Sequence, residues 1–231
     1  MYLSEDESRA VTVIDVENHF SLKELYKPIG EIGGANMVVE AYRELLNEIV
    51  GASLMEYCFL NYKKEYIDMF RSFKAKMRTA NAEQYLIRIS IAPVLIRNKN
   101  AIENISKSKF GGEIQLSHGK IRMTSFVFLS LFEVVGERII DHICNILQNP
   151  ELMNVKSIVM VGIFAECHIL QHMVKEAFPY INFVIPTDNR IATLIGSVIC
   201  GHEYERESEV VSSRVEKFVK RFKSKKHLHY I

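Results

Sequence analysis

The stretch SIVMVGIFAECHILQ, residues 157–171, constrains the fold of this chain more than any other. Ile158, Val159, Met160 and Val161 form a continuous apolar run, the pattern of a strand covered on both faces. Ile169, Leu170, Met173, Val174 and Ala177 then recur at helical spacing, and Gly162 sits at the joint. A strand, a glycine and a helix in this order match the layout of many nucleotide sites. Such joints usually carry two or more glycines, because the backbone must approach its ligand closely. Here the next residue is Ile163, so the joint alone does not separate a working loop from a simple turn.

With 231 residues, 48% of them hydrophobic and 25% charged, the chain can bury a sizeable core as one large domain or two small lobes. No apolar run approaches the roughly 18 residues of a membrane helix, and the opening MYLSEDESR is acidic where a signal peptide would be basic and then apolar. The expected compartment is cytoplasmic. Cys58, Cys144, Cys167 and Cys200 lie far apart with no CxxC pair, which favours reduced thiols over a zinc ribbon or a disulfide framework.

Charge is unevenly spread. Residues 206–231 hold eight Lys/Arg against three Glu, a local +5 that leaves −4 of the net +1 for residues 1–205. Within this basic tail Val211, Val215, Phe218 and Phe222 form a helical apolar stripe beside Lys217, Lys220, Arg221 and Lys223. That pattern reads as a docked C-terminal helix with a solvated face. Nucleic acid or an anionic membrane, if contacted at all, would be met through this tail.

Residues 11–17 and 20–26 read as two strands joined tightly at Asn18 and His19, followed by a turn-rich loop, Lys27–Gly34. From Asn36 a helix runs to about Gly51, with Val38, Ala41, Leu45 and Ile49 on one side. Residues 55–79 form a second, highly charged helical stretch, and residues 85–97 alternate as a strand does. SKFGGEIQLSHGKIRM, from Ser108, suggests a hairpin, and residues 124–147 a long helix ended by Asn149 and Pro150. Phe126, Phe128 and Phe132 read as core residues there. After the opening stretch, Phe183–Ile185 forms a short strand, and Thr187 or Asp188 caps a last helix that stops at Gly201. The expected fold class is therefore α/β, with an α+β insert subdomain over residues 52–120.

Four stretches together resemble the divergent type-12 branch of the 70-kDa heat-shock protein family, which carries an actin-like ATPase fold. LKELYKPIGEIGGANMVVE (22–40) matches a segment close to LKELYKxxGxxxGxxxVD, and FKAKMRT (73–79) one like FEARKRT. VGIFAECHILQ (161–171) and IPTDNRIATLIGSVICG (185–201) match VGGFAESxxLQ and VPxDxxxxxLxGAVxxG, in the family order. The resemblance covers roughly residues 10–215. It implies an RNase H-like lobe over residues 1–51 and 121–205, that is, only the second half of a nucleotide-binding unit, with the basic tail at 206–231.

The same resemblance implies a site for ATP or ADP with Mg²⁺ built from Gly33, Gly34, Arg78, Gly162, Ile163, Phe164 and Glu166. It also shows that site altered. EDESRAVTVID stands where the branch has a glycine-rich phosphate hairpin, Lys74 replaces a ribose-binding Glu, and Met77 replaces a Lys. Ile163 replaces the second glycine of the adenosine loop, where a β-branched side chain resists positive φ. The function implied is the C-terminal lobe of a heat-shock-70-type ATP-binding chaperone domain, with weak or no ATP binding, no catalytic residue and no independent hydrolysis. The alternative is a non-catalytic remnant that binds a protein partner, or a second copy of itself, through an exposed cleft face.

His168 and His172, one helical turn apart beside Cys167 and Glu166, raise the question of a metal. Two ligands do not make a site, and the pair reads as a solvent-facing helix edge; no metal is expected. Glu166, near a helix start, is also favourable with the helix dipole.

Overall fold

The computed structural model describes residues 2–3, 9–10, 13–17, 21–26, 34–80, 84–97, 100–187, 191, 194–196 and 198. It is a mixed α/β structure whose strands, among the described residues, group into four small sheets.

Near the amino end β1 (Tyr2–Leu3) and β2 (Arg9–Ala10) pair antiparallel, and β3 (Val13–Glu17) with β4 (Ser21–Tyr26) forms the expected hairpin, Glu17 opposite Ser21. Helix α1 (Ala35–Val50) follows. Its residues Val38, Tyr42, Leu45, Leu46 and Ile49 recur every three to four positions and are all buried, which fixes the face it turns inward. It ends at Gly51, whose φ of 93° is open to glycine at little cost.

The charged stretch expected as one helix over 55–79 is two helices, α2 (Ala52–Asn61) and α3 (Lys63–Thr79), broken at Tyr62. Asn61 closes α2 by donating its side-chain amide to the Tyr57 carbonyl at 3.0 Å, which satisfies a group the helix end leaves open. The alternation over 85–97 makes β5 (Leu86–Ser90) only. Ile87, Ile89 and Ile91 are buried as the period of two requires, but Pro93 then opens a short helix, α4 (Pro93–Ile96), where its fixed φ and missing N–H suit a first turn. Helix α5 (Asn100–Lys107) was not foreseen.

The expected hairpin is present as β6 (Ile114–Ser117) and β7 (Lys120–Thr124), turning through His118 at φ 50° and Gly119 at φ 75°. Two residues with positive φ match the right-handed twist of the flanking strands. Strand β7 is central, giving the order β5–β7–β6.

The long helix expected over 124–147 is also broken, into α6 (Ser125–Ser130) and α7 (Glu133–Leu147). Ser130 donates its hydroxyl to the Val127 carbonyl at 2.8 Å, a local bond that competes with helix continuation. The apolar stripe nevertheless holds: Phe128, Leu131, Val135, Ile139, Ile143 and Ile146 are buried. Of the three phenylalanines read as core, Phe128 and Phe132 are, whereas Phe126 is 63% exposed and is corrected to a surface residue.

The opening stretch folds as β8 (Ser157–Val159), a 3-10 turn over Ile163–Glu166 and α8 (His168–Ala177), and α8 leads to β9 (Asn182–Val184), which pairs parallel with β8. This is a βαβ unit. Strand β8 is not covered on both faces: Ile158 and Met160 are buried but Val159 is 41% exposed. Within the expected last helix, Leu194, Ile195, Gly196 and Val198 are helical, and the rest of it, with the basic tail 206–231 and Cys200, lies outside the described residues.

One apolar core extends from α1 through α3, the three-stranded sheet, α6 and α7 to α8. Its aromatic centre is Tyr42 stacked on Phe73, ring centroids 4.0 Å apart, with Phe128 edge-on to Phe73 at 6.0 Å and Phe132 next to Phe128 at 5.4 Å. Residues on both sides of positions 52 and 120 contribute to it, and β7 belongs to the same sheet as β5 and β6.

Candidate functional site

Two segments remote in sequence meet at a cleft of about 460 Å³. The last turn of α3 supplies Arg78 and Thr79; the turn before α8 and its first residues supply Glu166, His168 and Gln171; and Ile185, Pro186 and Thr187 close it after β9. The volume falls within the range of small-molecule sites.

Local chemistry shapes the loop wall. Gly162 has φ 98° and ψ 168°, a region essentially restricted to glycine, so the chain leaves β8 at an angle no other residue readily takes. The turn that follows is closed by Ala165 N–H donating to Gly162 O and Cys167 N–H donating to Phe164 O, each at 3.1 Å. Gln171 then donates its side-chain amide to Ala165 O at 2.7 Å, tying α8 back to the turn and holding the wall in place. Burial pushes the Cys167 thiol up to about 11, so it is a packed apolar group and not a thiolate nucleophile at neutral pH.

No family model matches the chain. Over 201 residues it is 31% identical to heat shock 70 kDa protein 12B of Homo sapiens, an alignment covering 83% of this chain and 29% of that protein. Heat shock 70 kDa protein 12A of Homo sapiens is 29% identical over 188 residues, 78% of this chain and 28% of the relative, and the Mus musculus protein of that name is likewise 29% identical. The chain belongs with the heat shock 70 kDa protein 12 proteins. It spans under a third of the length of these relatives.

Of the residues singled out from sequence in this heat-shock-70-like chain, Arg78 and Glu166 are brought together in the cleft. Gly162, Ile163 and Phe164 belong to the adjoining turn without lining it; Phe164 is buried in the core and Ile163 half-buried. The strain expected at Ile163 is absent, because the positive φ falls on Gly162. Gly34 is buried at the N-cap of α1 with ordinary extended φ, and Gly33 lies outside the described residues. Met77 is in the core, where a lysine would have had to be paired or solvated. Lys74, one turn before Arg78, lines a second, larger cavity of about 860 Å³ between α1, α3 and α7, which also receives Asn36 and Met37 from the first turn of α1.

The sequence gives no site role to Thr79 and Gln171 and reads Thr187 only as a helix cap, although all three stand inside the family-like motifs. His168 and His172 do not converge: His168 Nδ1 lies 3.4 Å from Gln171 Oε1, and His172 faces Glu176 at 3.3 Å. Among the described residues no group of three His, Cys, Asp or Glu side chains could hold a metal ion, and no helix is long and apolar enough to cross a membrane.

Proposed function

We propose that this chain is the second-lobe portion of an actin-like, heat-shock-70-type nucleotide unit, and that the cleft lined by Arg78 and Glu166 receives the adenosine end of ATP or ADP weakly. The observation that carries this reading is the meeting of Arg78 with Glu166, from two family-like motifs far apart in the chain, in one cleft of nucleoside size. A guanidinium stacks on a base or bonds a ribose hydroxyl, and a carboxylate accepts from a base amine or a hydroxyl.

The residues present fit a nucleoside: Arg78, Thr79, Glu166 and Gln171 line the cleft with donors and acceptors for a base and ribose hydroxyls. No hydrolytic step is assigned to this chain. Phosphoryl transfer requires groups that neutralise the γ-phosphate and orient water.

Calorimetric titration with Mg·ATP tests the reading. Millimolar affinity that disappears in Arg78→Gln is the expected result. Micromolar affinity would overturn the weak-site reading, and binding insensitive to Arg78→Gln would move the ligand elsewhere.

A second reading is self-association through the cavity between α1, α3 and α7. Val39, Phe70, Leu131 and Val135 give it apolar walls, and Val134 beside it is 55% exposed. Its rim carries Arg43, Arg71, Lys74 and Arg138 together with Glu40 and Glu44, a mixture that complements itself under a twofold axis. Sedimentation should then show dimers at micromolar concentration that Val134→Asp dissociates. A chain that stays monomeric throughout removes this reading.

A further inference from the structure

The apolar side of the β5–β7–β6 sheet faces the core through Ile87, Ile89, Ile121, Met123 and Ile114, so alternation puts the intervening residues on the opposite side. The register arranges them as a grid. Arg88, Arg122 and Gln115 lie side by side in one row, and Ser90, Lys120 and Ser117 in the next.

Arg88 directly opposite Arg122 is a like-charge pairing of the kind that destabilises a sheet. Strands about 4.8 Å apart and a two-residue repeat of about 6.7 Å put Lys120 close to both. Arg88 and Lys120 are exposed, and among the described residues none of the three cations has an ion-pair partner. The half-buried Arg122 has its Nε shut off from solvent with no hydrogen-bond acceptor. A freely solvated surface arginine would not be held in this way. Hydroxyl and amide groups border the cations: Ser90, Ser117 and Gln115 sit in the grid, and His118 Nδ1 lies 2.9 Å from Ser117 Oγ at the turn. Among the described strand residues of this face a carboxylate, Glu113, stands beside Thr124, diagonal to Arg122.

We propose that this outer sheet face binds a compact, soluble polyphosphate: an anion with two or more phosphate groups close together. Its oxygens would bridge the outer nitrogens of the paired guanidiniums and reach Lys120, removing the repulsion. The three cations occupy one small patch on two rows of a short sheet, which suits a compact anion better than an extended polymer. The face is distinct from the Arg78 cleft and independent of its ligand.

Titrating the full chain with tripolyphosphate, which has no nucleoside, tests the proposal by heat of binding and by the shift in melting temperature. Arg88→Thr and Arg122→Thr should each weaken binding about tenfold or more, the loss of a charge-assisted bond. Arg88→Thr, at an exposed position, should melt no lower than the unmodified chain when no ligand is present, because a like-charge pair is gone. Arg78→Gln should leave tripolyphosphate binding unchanged. The proposal is overturned if tripolyphosphate does not bind, if binding survives Arg88→Thr, if it is lost in Arg78→Gln instead, or if an acidic peptide or anionic vesicle binds the face more tightly.

Discussion

Gly162 and Arg78 show how differently single residues control this site. Gly162 sets the backbone: at φ 98° and ψ 168° it aims the chain from β8 into the turn that carries Glu166. Gly162→Ala should therefore destabilise the chain by about 1–3 kcal/mol in chemical denaturation, the cost of a side chain in that region. Destabilisation below a few tenths of a kcal/mol would mean that the turn relaxes freely. Arg78 lines the cleft, and under the proposed reading Arg78→Gln should weaken nucleotide binding in calorimetric titration. The sequence located both residues. It misassigned the strain to Ile163, because a pattern of letters gives the identity of a loop residue but not its φ.

At the scale of elements, helix type was legible and helix continuity was not. The stripes of α1 and α7 fix buried faces through spacing alone, whereas the breaks at Tyr62 and at Leu131–Phe132 fall where local bonds from Asn61 and Ser130 take up carbonyls of the preceding turn. Those bonds are weak sequence signals, since Asn and Ser also occur inside helices. The elements are joined at Phe73, which is fully buried, lies flat on Tyr42 of α1 and meets Phe128 of α6 edge-on. Phe73→Ala should cost about 3–5 kcal/mol of unfolding free energy, a loss expected when a buried aromatic leaves a cavity. Phe59→Ala on α2, where the ring is 45% exposed, should cost much less. Equal losses at the two positions would contradict the packing described.

For the whole molecule, the continuity of the core bears on the insert expected over residues 52–120. Phe73, Ile87, Ile89 and Leu95 from that interval are buried in the same cluster as Leu46, Phe128 and Leu170 from outside it. Thermal unfolding should therefore show one transition, the same when followed by near-ultraviolet dichroism of the aromatics and by far-ultraviolet helix signal. Two separated transitions would establish the insert as a lobe with its own stability. The likeness to the heat shock 70 kDa protein 12 proteins covers most of this chain but under a third of theirs, so properties of the full-length relatives do not carry over by size alone.

The sequence by itself determined the α/β character, the buried faces of α1 and α7, the two hairpins and the family likeness. Each of these is written in residues near one another, as periodicity, turn chemistry or motif. Tertiary structure alone decided that Ile163 and Met77 do not line the cleft that Arg78 and Glu166 share, and that Arg88 stands opposite Arg122. Both outcomes depend on strand register and on how α3 lies against the turn before α8. Register and helix placement follow from the packing of the whole core, a sum over contacts between distant residues that no local pattern contains.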